Sequence, residues 1–208
     1  MMRIHKKQHG FTIVELMIAT AVFSIVLLIC SFAIIHIGKM YYKGVITNRT
    51  QDTSRRLIED VSSSIQFGAT SEDPDLFRRT GAATYSGVNV ESLCIGSVRY
   101  SYSRNHFVGQ IRHVLWRDDV TTNQCTPRNI TLNTPSSNGQ ELLGSNMRLP
   151  QGITANPVGQ LWQVSLLVSY GDNADLFTNS SLNVCRGVSA GGQFCAVSGF
   201  TTSVMKRL

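Results

Sequence analysis

Five cysteines, five histidines and one carboxylate in an apolar run have the most chemistry to offer. Cys30 falls inside that run. Cys94, Cys125, Cys185 and Cys195 fall in the polar remainder, with no Cys-x-x-Cys among them. An even set of thiols without metal-ligand spacing is either buried and reduced, or paired as disulfides in an oxidising compartment. We prefer two disulfides, because the segment before them reads as an export anchor. Cys185–Cys195 is the expected first pair, since CRGVSAGGQFC holds Gly187, Gly191 and Gly192 and can double back. Cys94–Cys125 is then the second, and Cys30 stays a small apolar residue. His106 and His113 are seven apart in strand-like sequence, which places them on opposite faces of a regular strand and argues against a shared metal site. No HExxH, GxGxxG, P-loop or paired CxxC occurs, and no enzyme, cofactor or metal is expected.

The element that positions the carboxylate is the apolar run. A basic head, MMRIHKKQHG, precedes FTIVELMIATAVFSIVLLICSFAIIHIG. Leu16 to Ile35 bear no formal charge, and a helix of that length spans ~30 Å, the thickness of a bilayer core. One transmembrane helix is expected over about 14–37, with the N-terminus held cytoplasmic by Arg3, Lys6 and Lys7. Glu15 is out of place there, because an unpaired carboxylate near the bilayer centre costs about 2.5–3.5 kcal/mol. A plain anchor tolerates it close to the interface. A cleavable secretory signal is disfavoured: the Ala19-Thr20-Ala21 triplet lies inside the run, and Glu15 interrupts the h-region. Without the head, 16 basic residues face 13 acidic ones, leaving +3, too mild a balance to imply nucleic-acid binding.

Gly10-Phe11-Thr12-Ile13-Val14-Glu15-Leu16-Met17 follows a short basic leader and opens a long apolar helix. In this it resembles the processing motif of type IV prepilins and pseudopilins, and the resemblance covers about the first 65 residues. It implies that residues 1–10 are a leader, and that a prepilin peptidase cuts between Gly10 and Phe11 on the cytoplasmic face. The Phe11 amine would then be N-methylated, and Glu15 would pair with the Phe11 amine of a neighbouring subunit. Glycine suits the position before the cut, because it has no Cβ and lets backbone approach closely. The implied partners are other pilin subunits, the peptidase, the pilus assembly platform and the membrane. The implied product is a structural subunit, single-pass in the membrane before assembly and extracytoplasmic afterwards. Size and cysteine content favour a minor pilin that helps initiate or cap a filament. The alternatives are a type II secretion minor pseudopilin and, from another class, a DNA-binding or adhesive pilin subunit. Phe32 stands where many major pilins have a proline, so the kink linked to that proline is not implied.

Beyond Ile37 the helix is expected to continue to residue 66, weakened at Gly38 and Gly44 by about 1 kcal/mol each. From Thr47 it turns amphipathic, with Leu57, Ile58, Val61 and Ile65 as the stripe. Gly68 and Ser71-Glu72-Asp73-Pro74-Asp75 should end it. Residues 67–208 then read as a β-rich head. Expected strands are Val90–Ile95, Val98–Tyr102, Phe107–Trp116, Gln160–Tyr170 and one or two within Gln193–Met205; Thr121–Leu149 reads as loops with short strands. Leu161, Trp162, Val164, Leu166 and Val168 mark the Gln160–Tyr170 strand as central. The fold class is α+β: a long N-terminal helix, half transmembrane and half amphipathic, packed on an antiparallel sheet. The order of long helix, early hairpin and a Val114-Leu115-Trp116-Arg117 strand is similar to that of the J-type minor pseudopilins. Arg99, Arg104, Arg112, Arg117 and Arg128 are interleaved with Tyr100, Tyr102 and Phe107, a composition a nucleic-acid surface could use. Solvated arginines and core aromatics are the preferred reading.

Overall fold

The computed structural model describes residues 11–67, 77–104, 106–120, 125–133, 135, 138–158, 161–172, 176–178, 181–187 and 191–205. Helix α1 (Ile13–Phe67) is unbroken through Gly38 and Gly44. Among the described residues nine strands follow: β1 (Phe77–Tyr85), β2 (Val88–Ile95), β3 (Val98–Tyr102), β4 (Leu115–Asp119), β5 (Gln140–Glu141), β6 (Met147–Arg148), β7 (Ile153–Val158), β8 (Leu161–Tyr170) and β9 (Ala196–Met205). The chain divides into two compact units, residues 1–41 and 42–208. Among the described residues these strands pair antiparallel throughout, so the fold is α+β.

The first unit is apolar helix. Its best 18-residue window has a mean hydropathy of 2.8, and no part of that window is buried. Polar side chains in the run bond back to their own helix: Thr20 Oγ1 donates to Met17 O, Ser24 Oγ to Thr20 O, and Ser31 Oγ to Leu27 O. A helix that satisfies its own polar atoms in this way is compatible with hydrocarbon.

The second unit packs the later part of α1 on two sheets, β1-β2-β3-β4-β5 and a four-stranded sheet in which β8 pairs with β6, β7 and β9. The buried stripe of α1 is Ile46, Thr50, Ser54, Leu57, Ile58, Val61, Ser64 and Ile65, one face of a 3.6-residue repeat. Leu57, Ile58, Val61 and Ile65 share one core with Leu93, Tyr100, Leu115, Val164, Leu166 and Val204, drawn from both sheets. Thr50 and Ser54 are fully buried too. Their hydroxyls return to Ile46 O and Thr50 O, and Ser54 Oγ also reaches Ser198 O on β9 at 3.3 Å. These short residues let a strand backbone approach the helix.

The structure corrects one expected strand. Phe107–Trp116 is a loop up to residue 114, containing a single Val108–Ile111 bridge and a left-handed Gly109 (φ +121°). Its hydrogen bonds go sideways, from Val108 N to Met147 O and from Asn146 N to Val108 O. Pairing begins only at Leu115. There Glu141 Oε2 accepts Val114 N–H at 2.9 Å, and Oε1 accepts Leu115 and Leu143 N–H at 3.1 and 3.0 Å. Strands β1 and β7 are additions that the sequence reading did not make.

Burial pushes Glu141 up to about 7 from an ordinary 4.5, against the pull of those three N–H donors. Between those two values the folded state holds more protons than the unfolded one. The contribution of this group is therefore full below pH 4.5 and is lost as the pH rises through 7. Glu141→Gln should flatten the decline in unfolding free energy between pH 5 and 7, a decline approaching ~1.4 kcal/mol per pH unit in the parent and read by denaturant titration at each pH. Equal slopes in parent and variant would reject this role.

Candidate processing and assembly site

Among the described residues, the N-terminal site is Phe11, Thr12 and Glu15; Gly10 and the basic residues before it lie outside them. Phe11 is exposed and precedes the helix. Thr12 is the N-cap: its Oγ1 accepts the Glu15 N–H at 3.2 Å, while Glu15 Oε2 accepts Thr12 N–H and Oγ1–H at 2.9 Å each. This is a capping box, in which side chains and backbone satisfy each other's orphan donors. It holds the Glu15 carboxylate beside the backbone N–H that directly follows Phe11. A chain beginning at Phe11 would carry its amino group one residue from this carboxylate. Thr12 is the functional residue that the sequence reading passed over, although Thr-x-x-Glu before an apolar run is a readable signal.

In the head, Cys94 is bonded to Cys125 and Cys185 to Cys195, each pair with Cα atoms 5.8 Å apart. Cys30 is free and exposed on the apolar helix. Around Cys125 the loop is pinned to the first sheet. Ser92 Oγ donates to Cys125 O at 2.8 Å, Tyr85 OH to Pro127 O at 2.7 Å, and Arg128 N to Ser101 Oγ at 2.9 Å.

The histidines sit in separate settings. His106 Nδ1 is 2.8 Å from Ser103 Oγ, and burial, with Arg148 nearby, lowers its pKa. His113 Nδ1 lies 3.5 Å from Glu141, and its ring meets Trp116 edge-on. The expectation that they occupy opposite faces of one strand does not apply, because the segment is a loop.

The expectation of solvated arginines holds at the exposed Arg112 and is corrected at Arg99. Arg99 is buried in a two-pronged pair with its cross-strand partner Asp118 (2.8 and 2.5 Å) and also bonds Thr126 O. Arg128 Nε reaches the same carboxylate at 3.1 Å. Arg104 pairs with Glu91 and Arg117 with Asp60. Tyr100 and Tyr102 are fully buried, and Tyr100 bonds Ser64 and Asp60 on α1. These aromatics cannot stack bases, and these four cations are already met by carboxylates.

Within the second unit, α1 is also tied to the Cys195 region. Lys43 Nζ donates to Gly192 O at 3.1 Å and to Cys195 O. The Tyr42 and Phe194 rings meet edge-on at 5.4 Å.

Compared with known proteins, residues 5–31 match the family model of the prokaryotic N-terminal methylation motif. No curated protein and no solved structure matches the chain.

Proposed function

From the premise that the chain carries the N-terminal methylation motif of type IV pilins and pseudopilins, we propose that it is a minor, non-catalytic subunit that helps initiate or cap a pilus or pilus-like filament. The observation that carries this reading is the motif at the mouth of an exposed apolar helix whose first turn holds Glu15. Before assembly the helix anchors the subunit in the membrane with its N-terminus cytoplasmic. A prepilin peptidase removes residues 1–10, and the new Phe11 amine is methylated. In the filament, apolar helices pack together and each Glu15 faces the amine of a neighbour, which relieves the burial of both charges. The partners are other pilins, the peptidase and the assembly platform. A type II secretion minor pseudopilin would use the same motif and the same mechanism. Subunit abundance in sheared filaments, and secretion in a strain lacking the protein, separate the two.

Intact mass and N-terminal sequencing of the protein from peptidase-positive cells test the processing step. The expected product begins at methylated Phe11. A mature N-terminus at Met1 or beyond Ala21 rejects it.

A further inference from the structure

The two ring nitrogens of His113 meet different atoms. Nε2 lies 3.2 Å from Asn133 O. A carbonyl oxygen only accepts, so Nε2 is the donor and carries a proton. Nδ1 is shut off from solvent, and Glu141 Oε2 stands 3.5 Å from it. In a neutral ring with its proton on Nε2, Nδ1 is a bare lone pair. If Glu141 were ionised, two acceptors would face each other out of solvent with nothing to join them, an arrangement that buried polar groups avoid. Glu141 is able to keep the missing proton, because burial raises its carboxyl to about 7. On its other side His113 is backed by Trp116, whose ring meets it edge-on at 4.5 Å. Trp116 is in turn packed on Gly139, where a Cβ would fall 2.1 Å from the indole nitrogen. Among the described residues the charges nearby are otherwise engaged. Arg117 on β4 pairs with Asp60 of α1, and Asp118 with Arg99 and Arg128. Arg49 of α1 lies against Gly144, and Arg112 and Asp119 are exposed. None of these charges enters the balance at Glu141, which burial raises and three N–H donors lower.

We propose that Glu141 and His113 form a proton-held clasp, in which the Glu141 carboxylic acid donates its O–H to His113 Nδ1 while Nε2 donates to Asn133 O. The clasp ties the end of the 107–114 loop to β5 and to residue 133. It acts where Glu141 also receives the N–H groups of Val114, Leu115 and Leu143. Loss of the carboxyl proton leaves two bare acceptors in contact, and the joint loosens. The clasp is therefore closed in acid and slackens as the medium passes through neutrality.

The test uses the full chain in detergent micelles. At pH 6 the infrared spectrum of the parent minus that of Glu141→Gln should contain a protonated-carboxyl band, and at pH 8.5 that band should be gone. In His113→Phe, which keeps a ring against Trp116, the band should move to the higher frequency of a carboxyl that donates to nothing. No Glu141-dependent band at pH 6 overturns the proposal, since the proton is then not on the carboxyl. An unmoved band in His113→Phe overturns it equally, since the acid then donates elsewhere. Hydrogen exchange of the parent reads the loosening without any substitution. After correction for intrinsic rates, the opening constant at Val114, Leu115 and Leu143 should rise about tenfold per pH unit between pH 5 and 7 and level off above. At pH 7 these amides should also exchange faster than those of β8 and β9. Absence of the rise overturns the clasp. Exchange no faster than that of β8 shows a joint that opens only with the whole head, and overturns its role as a local device.

Discussion

Replacing Glu15 by valine is expected to leave the precursor inserted and cleaved after Gly10, yet nearly absent from filaments. The apolar helix loses nothing by the change, since valine favours hydrocarbon over a carboxylate. The loss falls on the interface. A neighbour's Phe11 amine, buried among packed helices, would be left without a counter-charge. Removing one partner of a buried pair costs about 3–5 kcal/mol, on the order of a hundred- to several-thousandfold in an association constant. Immunoblots of membrane and sheared-filament fractions read the two quantities separately. Normal incorporation of the variant would remove the pairing role, except at a filament tip where no subunit above supplies an amine. The capping box sharpens the comparison. Thr12→Val takes two hydrogen bonds from Glu15 but leaves its charge. That variant should fray the first turn by about 1 kcal/mol and reduce incorporation far less than the loss of Glu15.

Asp118→Ala is expected to be the most damaging single change in the head. Asp118 is fully buried and receives Arg99 in a two-pronged pair together with Arg128. Alanine would strand the Arg99 guanidinium between β3 and β4, with Thr126 O as its one remaining partner of the three bonds. Stranding a buried charge costs about 3–5 kcal/mol, which for a unit of this size lowers Tm by roughly 6–20 °C. Thermal unfolding of the full chain in detergent measures it. The double variant Arg99→Leu with Asp118→Leu should recover much of the loss, because an apolar pair of similar bulk carries no desolvation cost. A double variant as unstable as Asp118→Ala would show that the site depends on its hydrogen bonds to the 125–128 loop and not on charge pairing.

What could be read from the sequence follows a physical division. The apolar run, the Leu57, Val61 and Ile65 stripe and the β2–β3 hairpin are periodic signals, and periodicity survives without tertiary context. Thr50 and Ser54 belong to the same buried stripe. They look polar in sequence, because their partners are their own helix carbonyls and a strand 144 residues away. Strand β1 reads FRRTGAATY and β7 reads ITANPV; a glycine in one and a proline in the other suppress the local β signal. The apparent strand at 107–116 fails for the opposite reason. Its residues have β character, but Glu141 takes the N–H groups of Val114 and Leu115 from a distant part of the chain. In the N-terminal site, Glu15 stood out because a charge in an apolar run is conspicuous. Thr12, which holds it, drew no notice, because threonine is unremarkable by type and informative only by spacing.

The ten-residue, unbroken pairing of β8 with β9 also sets a timetable for the nascent chain. Ser198, Val204 and Cys195 are the far ends of contacts that begin at Ser54, the α1 stripe and Cys185. If the head is exported as proposed, the Cys185 bond must wait for residue 195 to cross the membrane, and the Ser54 and α1-stripe contacts for residues 198 and 204. Cys94 and Cys125 emerge long before, so their bond can close while the second sheet is still incomplete. Folding that waits on such distant contacts is slow. During that wait Leu57, Ile58, Val61 and Ile65 lack the cover that Val164, Leu166 and Val204 of the second sheet supply. On that reading the chain would be most vulnerable to aggregation and proteolysis late in export, and a stop codon ahead of β9 would prolong that half-covered state indefinitely.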